Sequence, residues 1–264
     1  MYGMRPGSSS VSLAAQGSQE SVPSVTIRVM IRIHRKIPVS ALRLLLFDLD
    51  GTLVDSKQDL AQSINAMLHN YDRPELPVEV IADYIGDGAP MLVRRALGDP
   101  EDEEFFNEAL RYFLDYYREH KLDRTYVYDG VLEALGRIRA AANGHPLTMV
   151  VLTNKPVAPS RAIVEALGLS DFFPQVYGGN SFQTKKPDPL GAQILMRELG
   201  VGPEQTCMIG DSSNDVLTGR NAGMWTIGLT YGFAPHTLEE APPDVLVDTP
   251  AELAEVLAAR QETL

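Results

Sequence analysis

The sequence contains little cysteine, few basic residues and no long apolar run. A single cysteine among 264 residues excludes an internal disulfide bond. It says little about the compartment, although it is compatible with a reducing one, and we expect a cytoplasmic protein. No segment approaches the roughly 20 consecutive apolar residues of a membrane-spanning helix, so we expect no membrane partner. Only 23 Lys and Arg stand against 35 Asp and Glu. Such an acidic chain does not attract the phosphates of nucleic acid, which excludes that class of partner.

The first 40 residues differ from the rest of the chain in charge and composition. They carry five Lys or Arg and one Asp or Glu, whereas the other residues carry 18 against 34. Residues 1–24 are rich in Ser, Gly and Gln, a composition typical of disorder. Apolar and polar residues alternate over residues 27–33, as in a basic edge strand. A transit peptide would fit in part. We predict that residues 1–40 are a disordered or weakly structured extension without a role in the chemistry.

Strand and helix patterns alternate along most of the remaining chain. Short apolar runs predict buried strands at residues 44–47, 148–152, 175–177, 206–209, 225–229 and 245–247. Amphipathic patterns predict helices at residues 131–142, 157–167, 188–199, 213–222 and 250–260. Such alternation implies a parallel sheet with right-handed crossovers. The predicted class is α/β, with a Rossmann-like, doubly wound parallel sheet.

Residues 56–126 interrupt this alternation because they show little strand signal. Phe106, Phe113 and Tyr117 belong to an apolar stripe at helical spacing, and similar stripes precede it. A helical domain of about 70 residues lies within the usual size of a small domain. We therefore predict a helical domain at residues 56–126, inserted after the first strand of an α/β core that comprises residues 41–55 and 127–264.

Two aspartates follow the first predicted strand directly. Asp48 and Asp50 come after the apolar residues 44–47, and Gly51 comes next. Ligands of open parallel sheets bind beyond the carboxyl ends of the strands, so both carboxylates should lie at the rim of a crevice. Carboxylates this close repel each other unless they share a cation or a proton, and their hard oxygen atoms suit Mg²⁺. The alternative explanation is a solvated turn after the strand, because Asp-Gly, here Asp50-Gly51, is a common turn dipeptide.

Three further polar clusters each follow a predicted strand or begin a predicted helix. Thr153 and Asn154 offer a hydroxyl group and helix N–H groups, both of which suit a phosphoryl oxygen. Lys186 stands just before a helix and can bring a positive charge to the site. Asp211 follows a strand and could bind a metal, and Asp215 lies one helical turn further on. Taken singly, each cluster has a structural alternative: a plain helix cap for Thr153 and Asn154, a solvated lysine for Lys186, and a helix N-cap in a turn for Asp211.

In their order along the chain, these clusters resemble the four motifs of the haloacid dehalogenase (HAD) phosphotransferase superfamily. The first motif stands here as Asp48-Leu49-Asp50-Gly51-Thr52-Leu53, and the others centre on Thr153, on Lys186 and on Asp211 with Asp215. The resemblance covers roughly residues 43–255. It implies a phosphatase that acts on a small phosphorylated metabolite, as a monomer or homodimer.

The resemblance also implies a role for each motif residue. Asp48 would be the nucleophile that forms an aspartyl phosphate, and Asp50 the general acid and base. Thr153, Asn154 and Lys186 would surround the charge on the phosphoryl oxygens.

The cofactor that the resemblance implies is Mg²⁺. Its ligands would be Asp48, Asp211 and the backbone carbonyl of Asp50. Asp215 would lie behind them and hold Lys186 or a metal-bound water.

The helical insertion resembles the cap domain of this superfamily. Ile85-Gly86-Asp87-Gly88-Ala89, followed by Arg94 and Arg95, resembles the phosphoglycolate phosphatase branch. This implies 2-phosphoglycolate as the substrate, with its carboxylate bound by helix N–H groups near Gly86 and Gly88 and by Arg94 or Arg95. A solvated helix face is the better explanation of at least one of the two arginines.

Other functions fit parts of the same pattern. Related branches act on sugar phosphates or pyrophosphate, and some are phosphomutases. A phosphorylation-driven receiver module would not need Asp50 or a cap, and a dehalogenase would need neither Asp50 nor Asp211. A catalytically silent binding module would not need all of these positions filled.

Overall fold

The computed structural model describes residues 31–142 and 144–259. Its strands are β1 (Arg32–Ile33), β2 (Leu44–Phe47), β3 (Val54–Asp55), β4 (Tyr126–Val127), β5 (Thr148–Leu152), β6 (Gln175–Tyr177), β7 (Thr206–Gly210), β8 (Trp225–Leu229) and β9 (Val245–Val247). Its α-helices are α1 (Lys57–Asn70), α2 (Val78–Ala82), α3 (Ala89–Ala96), α4 (Glu103–His120), α5 (Val131–Ala141), α6 (Val157–Ala166), α7 (Leu190–Leu199), α8 (Ser213–Asn221) and α9 (Pro250–Ala258). Within the described ranges, none of these helices combines the length and apolarity needed to cross a membrane.

Seven strands form one sheet in the order β1-β9-β8-β7-β2-β5-β6. Every neighbouring pair is parallel except β1 and β9, which are antiparallel at the edge. Since β2 is an inner strand and the chain winds outward from it in both directions, the sheet is doubly wound. The predicted α/β class and Rossmann-like core are confirmed.

Both faces of the sheet are covered by helices, and β2 shows how its sequence achieves this. Successive side chains of a strand point to opposite faces. Leu45 and Phe47 pack in the cluster that includes residues of α5, α6 and α9. Leu44 and Leu46 pack in the cluster that includes residues of α7. A strand buried on both faces must be apolar throughout, which is why residues 44–47 read as an uninterrupted run.

The end of the N-terminal extension packs against the edge of the sheet. Arg32–Ile33 pairs with β9, and Arg35 lies 2.7 Å from the Asp244 carboxylate and 4.2 Å from the centre of the Trp225 ring. Residues 1–30, which carry most of the predicted disorder, lie outside the described residues. The described end of this extension is therefore in contact with the core.

Helices α1 to α4 have a hydrophobic core of their own. Leu60, Ile64, Val93, Phe106 and Phe113 belong to a cluster of buried residues separate from those around the sheet. The chain enters the helical unit through β3 and leaves it through β4, and these two strands form an antiparallel pair. The helical unit is therefore a body with its own hydrophobic core that lies beside the strand ends of the sheet.

One buried carboxylate closes the helical unit where the chain enters and leaves it. Asp59 on α1 accepts hydrogen bonds from the Arg124 and Thr125 backbone N–H groups at 2.9–3.1 Å and from the Thr125 hydroxyl at 2.6 Å. We expect Asp59→Ala to lower the free energy of unfolding by about 2–4 kcal/mol, because three donors lose a charged acceptor. Urea unfolding measures this. The control is Asp115→Ala, at an exposed surface ion pair with Arg118, which should change stability by less than about 0.5 kcal/mol. Equal losses would contradict this role of Asp59.

Candidate active site

The polar clusters meet because three neighbouring parallel strands end at the same level. In the sheet, β2 lies between β5 and β7, and Phe47 pairs with Val151 on one side and with Ile209 on the other. The residues that follow these strands therefore emerge side by side at one edge. Asp48, Thr153 and Asp211 all come from this edge.

Asp48 is buried at the centre of this edge, with 8% of the residue exposed. Its carboxylate accepts a hydrogen bond from the Leu49 backbone N–H at 2.7 Å and lies 3.0 Å from the Lys186 ammonium. Burial raises the pKa of Asp48 to about 6, with Lys186 opposing the rise and Asp215 adding to it. The side chain is thus held in one orientation by a cation on one side and by the backbone on the other.

Lys186 joins two of the carboxylates. Its ammonium lies 3.0 Å from Asp48 and 2.6 Å from Asp215. Burial lowers the pKa of Lys186, but the charges of Asp215 and Asp48 outweigh burial and leave the pKa above its usual value. The second oxygen of Asp215 accepts from the Ser212 N–H at 3.1 Å and hydroxyl at 2.8 Å. Lys186 is therefore a fixed positive charge in the site.

Asp211 is enclosed by two glycine-containing loops. Its oxygens accept from the Thr52 hydroxyl at 3.1 Å and from the Phe233 N–H at 2.7 Å. A Cβ atom on Gly51, which has a φ of +80°, would lie 2.3 Å from an Asp211 oxygen, and one on Gly232 would lie 2.2 Å from the Asp211 Cβ. Only glycine lets both loops approach this closely. Burial, together with Asp215 and Asp48, raises the pKa of Asp211 to about 7.

The acidic residues form a group that fits a divalent cation. Asp48, Asp211 and Asp215 are all buried, and each offers a carboxylate oxygen within 4.8 Å of the others. Lys186 neutralises only one of these three charges, and burial disfavours the remaining negative charge. A hard divalent cation would offset it, and carboxylate oxygens are its preferred ligands. The donor set therefore fits a metal that binds oxygen ligands.

The Asp50 carboxylate lies in the same pocket with different partners. Both of its oxygens lie 2.9 Å from the Lys155 ammonium, and one accepts from the Ser56 hydroxyl at 2.6 Å. Burial lowers the pKa of Lys155, but the charge of Asp50 and contact with Tyr117 outweigh burial and raise it above its usual value. Asp48 and Asp50 are thus each paired with a separate buried lysine.

Asn154 connects the sheet edge to the helical unit. Its Nδ2 donates to the carbonyl oxygens of Gly86 at 2.8 Å and Lys186 at 2.9 Å. A Cβ atom on Gly88, where φ is +84°, would lie 2.9 Å from the Asn154 carbonyl oxygen. The loop with Gly86 and Gly88 therefore packs directly on Asn154. Thr153, the residue before it, is buried.

A small pocket lies between this polar edge and the helical unit. The volume open to the centres of water molecules is about 50 Å³. Polar residues from the sheet edge form one side, including Asp48, Asp50, Thr153 and Asp211. The helical unit supplies a largely apolar opposite wall from Leu60, Ile85, Leu92, Phe113, Leu114 and Tyr117. The carboxylates are therefore reached from a space that a small molecule can fill.

Comparison with known proteins identifies the family. The Haloacid dehalogenase-like hydrolase family model matches residues 45–229. This chain belongs to that family. A phosphoglycolate phosphatase of Chromobacterium violaceum is 40% identical over 215 residues, which cover 80% of this chain and 94% of that protein. One of Pseudomonas putida is 36% identical over 226 residues, covering 83% and 81%.

A solved structure shares the fold of this haloacid dehalogenase-like hydrolase. It is a predicted phosphoglycolate phosphatase from Haemophilus somnus, with 32% identity and a TM-score of 0.76. The match covers 82% of this chain and 98% of the other. These comparisons confirm the predicted superfamily, the resemblance to phosphoglycolate phosphatases and the assignment to phosphoric monoester hydrolases.

The two arginines considered as carboxylate ligands, Arg94 and Arg95, lie outside the pocket of this hydrolase. Arg94, predicted to bind substrate, pairs with Glu103 at 2.9 Å and stacks 4.1 Å from the centre of the Phe106 ring. Arg95 pairs with Asp87 at 2.5 Å. Neither arginine lines the pocket. The structure therefore brings Gly86 and Gly88 to the site but not Arg94, because α3 and α4 supply other partners for this side chain.

Lys155 and Tyr117 are among the pocket residues that were not assigned from the sequence. Lys155 follows Thr153 and Asn154 directly, and its position beside a proline in a turn after a strand was the available signal. Tyr117 belongs to the apolar stripe of α4, so it read as a core residue. In the structure the Lys155 ammonium lies 4.7 Å from the centre of the Tyr117 ring. Burial raises the pKa of Tyr117 to about 12, with Lys155 opposing the rise and Asp50 adding to it, so the hydroxyl keeps its proton at neutral pH.

Proposed function

We propose that this hydrolase is a Mg²⁺-dependent phosphatase that converts 2-phosphoglycolate and water to glycolate and phosphate. The observation that carries the proposal is the pair of aspartates in one pocket, Asp48 beside Lys186 and Asp50 beside Lys155. A nucleophile next to a fixed cation and a second carboxylate beside it are what a two-step phosphoryl transfer needs. The substrate follows the names of relatives that match most of this chain.

In the proposed first step, an Asp48 oxygen attacks phosphorus and the bond from phosphorus to the glycolate oxygen breaks. Asp50 gives its proton to that leaving oxygen. In the second step Asp50 takes a proton from water, and the resulting hydroxide attacks phosphorus and releases Asp48. Thr153, the Asn154 N–H group and Lys186 surround the charge on the phosphoryl oxygens in both steps.

The residues that would hold Mg²⁺ are Asp48, Asp211 and the backbone carbonyl of Asp50. We place Asp215 behind them, because its oxygens already accept from Lys186 and Ser212. The bound cation would offset repulsion between the Asp48 carboxylate and the phosphate dianion. The closely spaced buried carboxylates support this assignment.

We further propose that residues 56–126 act as a cap on a core formed by residues 41–55 and 127–264. The contacts of Gly86 and Gly88 with Asn154 support this proposal, because they bring a loop of the helical unit onto the turn that we propose binds the phosphoryl group. Cap closure would exclude water before the aspartyl phosphate forms and would restrict the leaving group. The small pocket with its apolar wall favours a small substrate over a large one.

We expect kcat/KM for 2-phosphoglycolate to exceed that for ethyl phosphate by roughly 10²–10⁴-fold, because a site built for a carboxylate leaves its donors unpaired with a neutral group. Phosphate release in Mg²⁺ buffer measures both values, and EDTA should abolish both. Better turnover of a sugar phosphate or pyrophosphate would overturn the substrate assignment but not the assignment of the chain as a hydrolase. Absence of any Mg²⁺-dependent release, p-nitrophenyl phosphate included, would instead favour a silent binding module.

A further inference from the structure

The pocket contains one cation without an assigned role. Among the described residues that line it, Lys155 is the only lysine or arginine. It is 6% exposed, and its ammonium lies 2.9 Å from both oxygens of Asp50. An ammonium group has three donors, and two face these oxygens. The third donor is on the side of the Tyr117 hydroxyl, where it can also reach a group that enters the pocket.

Tyr117 supplies a second observation on the same side of the pocket. The residue is 3% exposed, and within the described ranges its buried hydroxyl has no hydrogen-bond partner. A buried hydroxyl without a partner costs free energy, so native structures rarely retain one. The ring lies beneath the Lys155 ammonium, 4.7 Å from its centre. An acceptor that enters the pocket beside Lys155 would satisfy this hydroxyl.

The position of these groups relative to Asp50 suggests what the acceptor is. In the proposed reaction Asp50 contacts the oxygen that leaves phosphorus. In 2-phosphoglycolate the carboxylate carbon is only two bonds from that oxygen, so the carboxylate must lie next to Asp50. Leu60, Leu92 and Phe113 of the apolar pocket wall offer it no charge. An anion buried there needs a cation and a hydrogen-bond donor.

We infer that Lys155 and Tyr117 form the subsite for the substrate carboxylate, an inference that rests on the proposed function. The Lys155 ammonium contributes the charge, and the Tyr117 hydroxyl donates a hydrogen bond. Tyr117 belongs to α4 of the cap, whereas Lys155 belongs to the core. A carboxylate bound between them would therefore connect the two bodies, and a substrate without one would not.

The test compares two alkyl phosphates that differ in this carboxylate, 2-phosphoglycolate and ethyl phosphate. Tyr117→Phe keeps the ring and removes only the hydroxyl. We expect it to lower kcat/KM for 2-phosphoglycolate roughly 10–100-fold, mainly through KM, and that for ethyl phosphate less than about threefold. Lys155→Met should reduce the preference for 2-phosphoglycolate by roughly 100-fold. The control variants Tyr116→Phe and Lys121→Met alter residues outside the pocket and should leave the preference for 2-phosphoglycolate unchanged.

Inhibition by the product glycolate gives a second readout, with ethyl phosphate as the substrate. Glycolate carries the carboxylate without a phosphoryl group, so its inhibition constant should rise in both variants while that of phosphate stays constant. Equal losses on both substrates in Lys155→Met, with Tyr117→Phe unaffected, would make Lys155 a positioning residue for Asp50 and overturn the subsite. A preference retained in both variants overturns the subsite alone. A wild-type enzyme without the preference overturns the proposed substrate and the subsite together.

Discussion

Replacing Asp48 by asparagine is expected to abolish phosphate release from 2-phosphoglycolate, with kcat lowered by on the order of 10⁴-fold or more. The amide has nearly the shape of the carboxylate but is a poor nucleophile. Its oxygen can still accept from the Leu49 N–H and face Lys186, two of the contacts that hold Asp48 in place. The variant should therefore fold while the aspartyl phosphate cannot form.

The control for this variant is Asp83→Asn, at the exposed C-terminal end of α2. It makes the same chemical change away from the pocket and should keep wild-type kcat and KM. Circular dichroism and urea unfolding check that Asp48→Asn is folded, and mass spectrometry checks for deamidation back to aspartate. Retention of more than a few per cent of kcat in folded, undeamidated protein would rule out the covalent route through Asp48.

The sheet edge of this site could be predicted because its signals are local. The apolar run at residues 44–47 is buried on both faces of the sheet, and Asp48 follows it directly. Parallel strands bring such positions together whatever the intervening sequence. The helix predicted at 131–142 is observed at Val131–Ala141, since its apolar stripe faces the sheet.

The connection between the two bodies could not be predicted in the same way. Strands β3 and β4 are two residues long each, too short for a periodic signal, and they pair across the whole helical insertion. The partners of Arg94 depend on how α3 packs against α4, which spacing within α3 does not reveal. Tyr117 reads as a core residue because a stripe does not show which of its members reaches a pocket.

Asp50 carries the second large effect that we expect. Asp50→Asn should lower kcat for 2-phosphoglycolate by roughly 10²–10⁴-fold, the range for loss of a positioned general acid and base. The amide cannot give a proton to the glycolate oxygen or take one from water. The same variant should still let p-nitrophenyl phosphate transfer its phosphoryl group to Asp48, because p-nitrophenolate leaves without a proton.

The two halves of the reaction can therefore be separated in one variant. Rapid mixing of Asp50→Asn with p-nitrophenyl phosphate should release up to one p-nitrophenolate per enzyme and then stop, since the second step lacks its base. Ser56→Ala is the graded control, because it removes only the 2.6 Å hydrogen bond to Asp50 and leaves the carboxylate paired with Lys155. Its kcat should fall less than about tenfold, the loss of one hydrogen bond. Equal losses of Asp50→Asn on both substrates, without a burst, would contradict the acid and base role, because a proton donor affects only the leaving group that needs a proton.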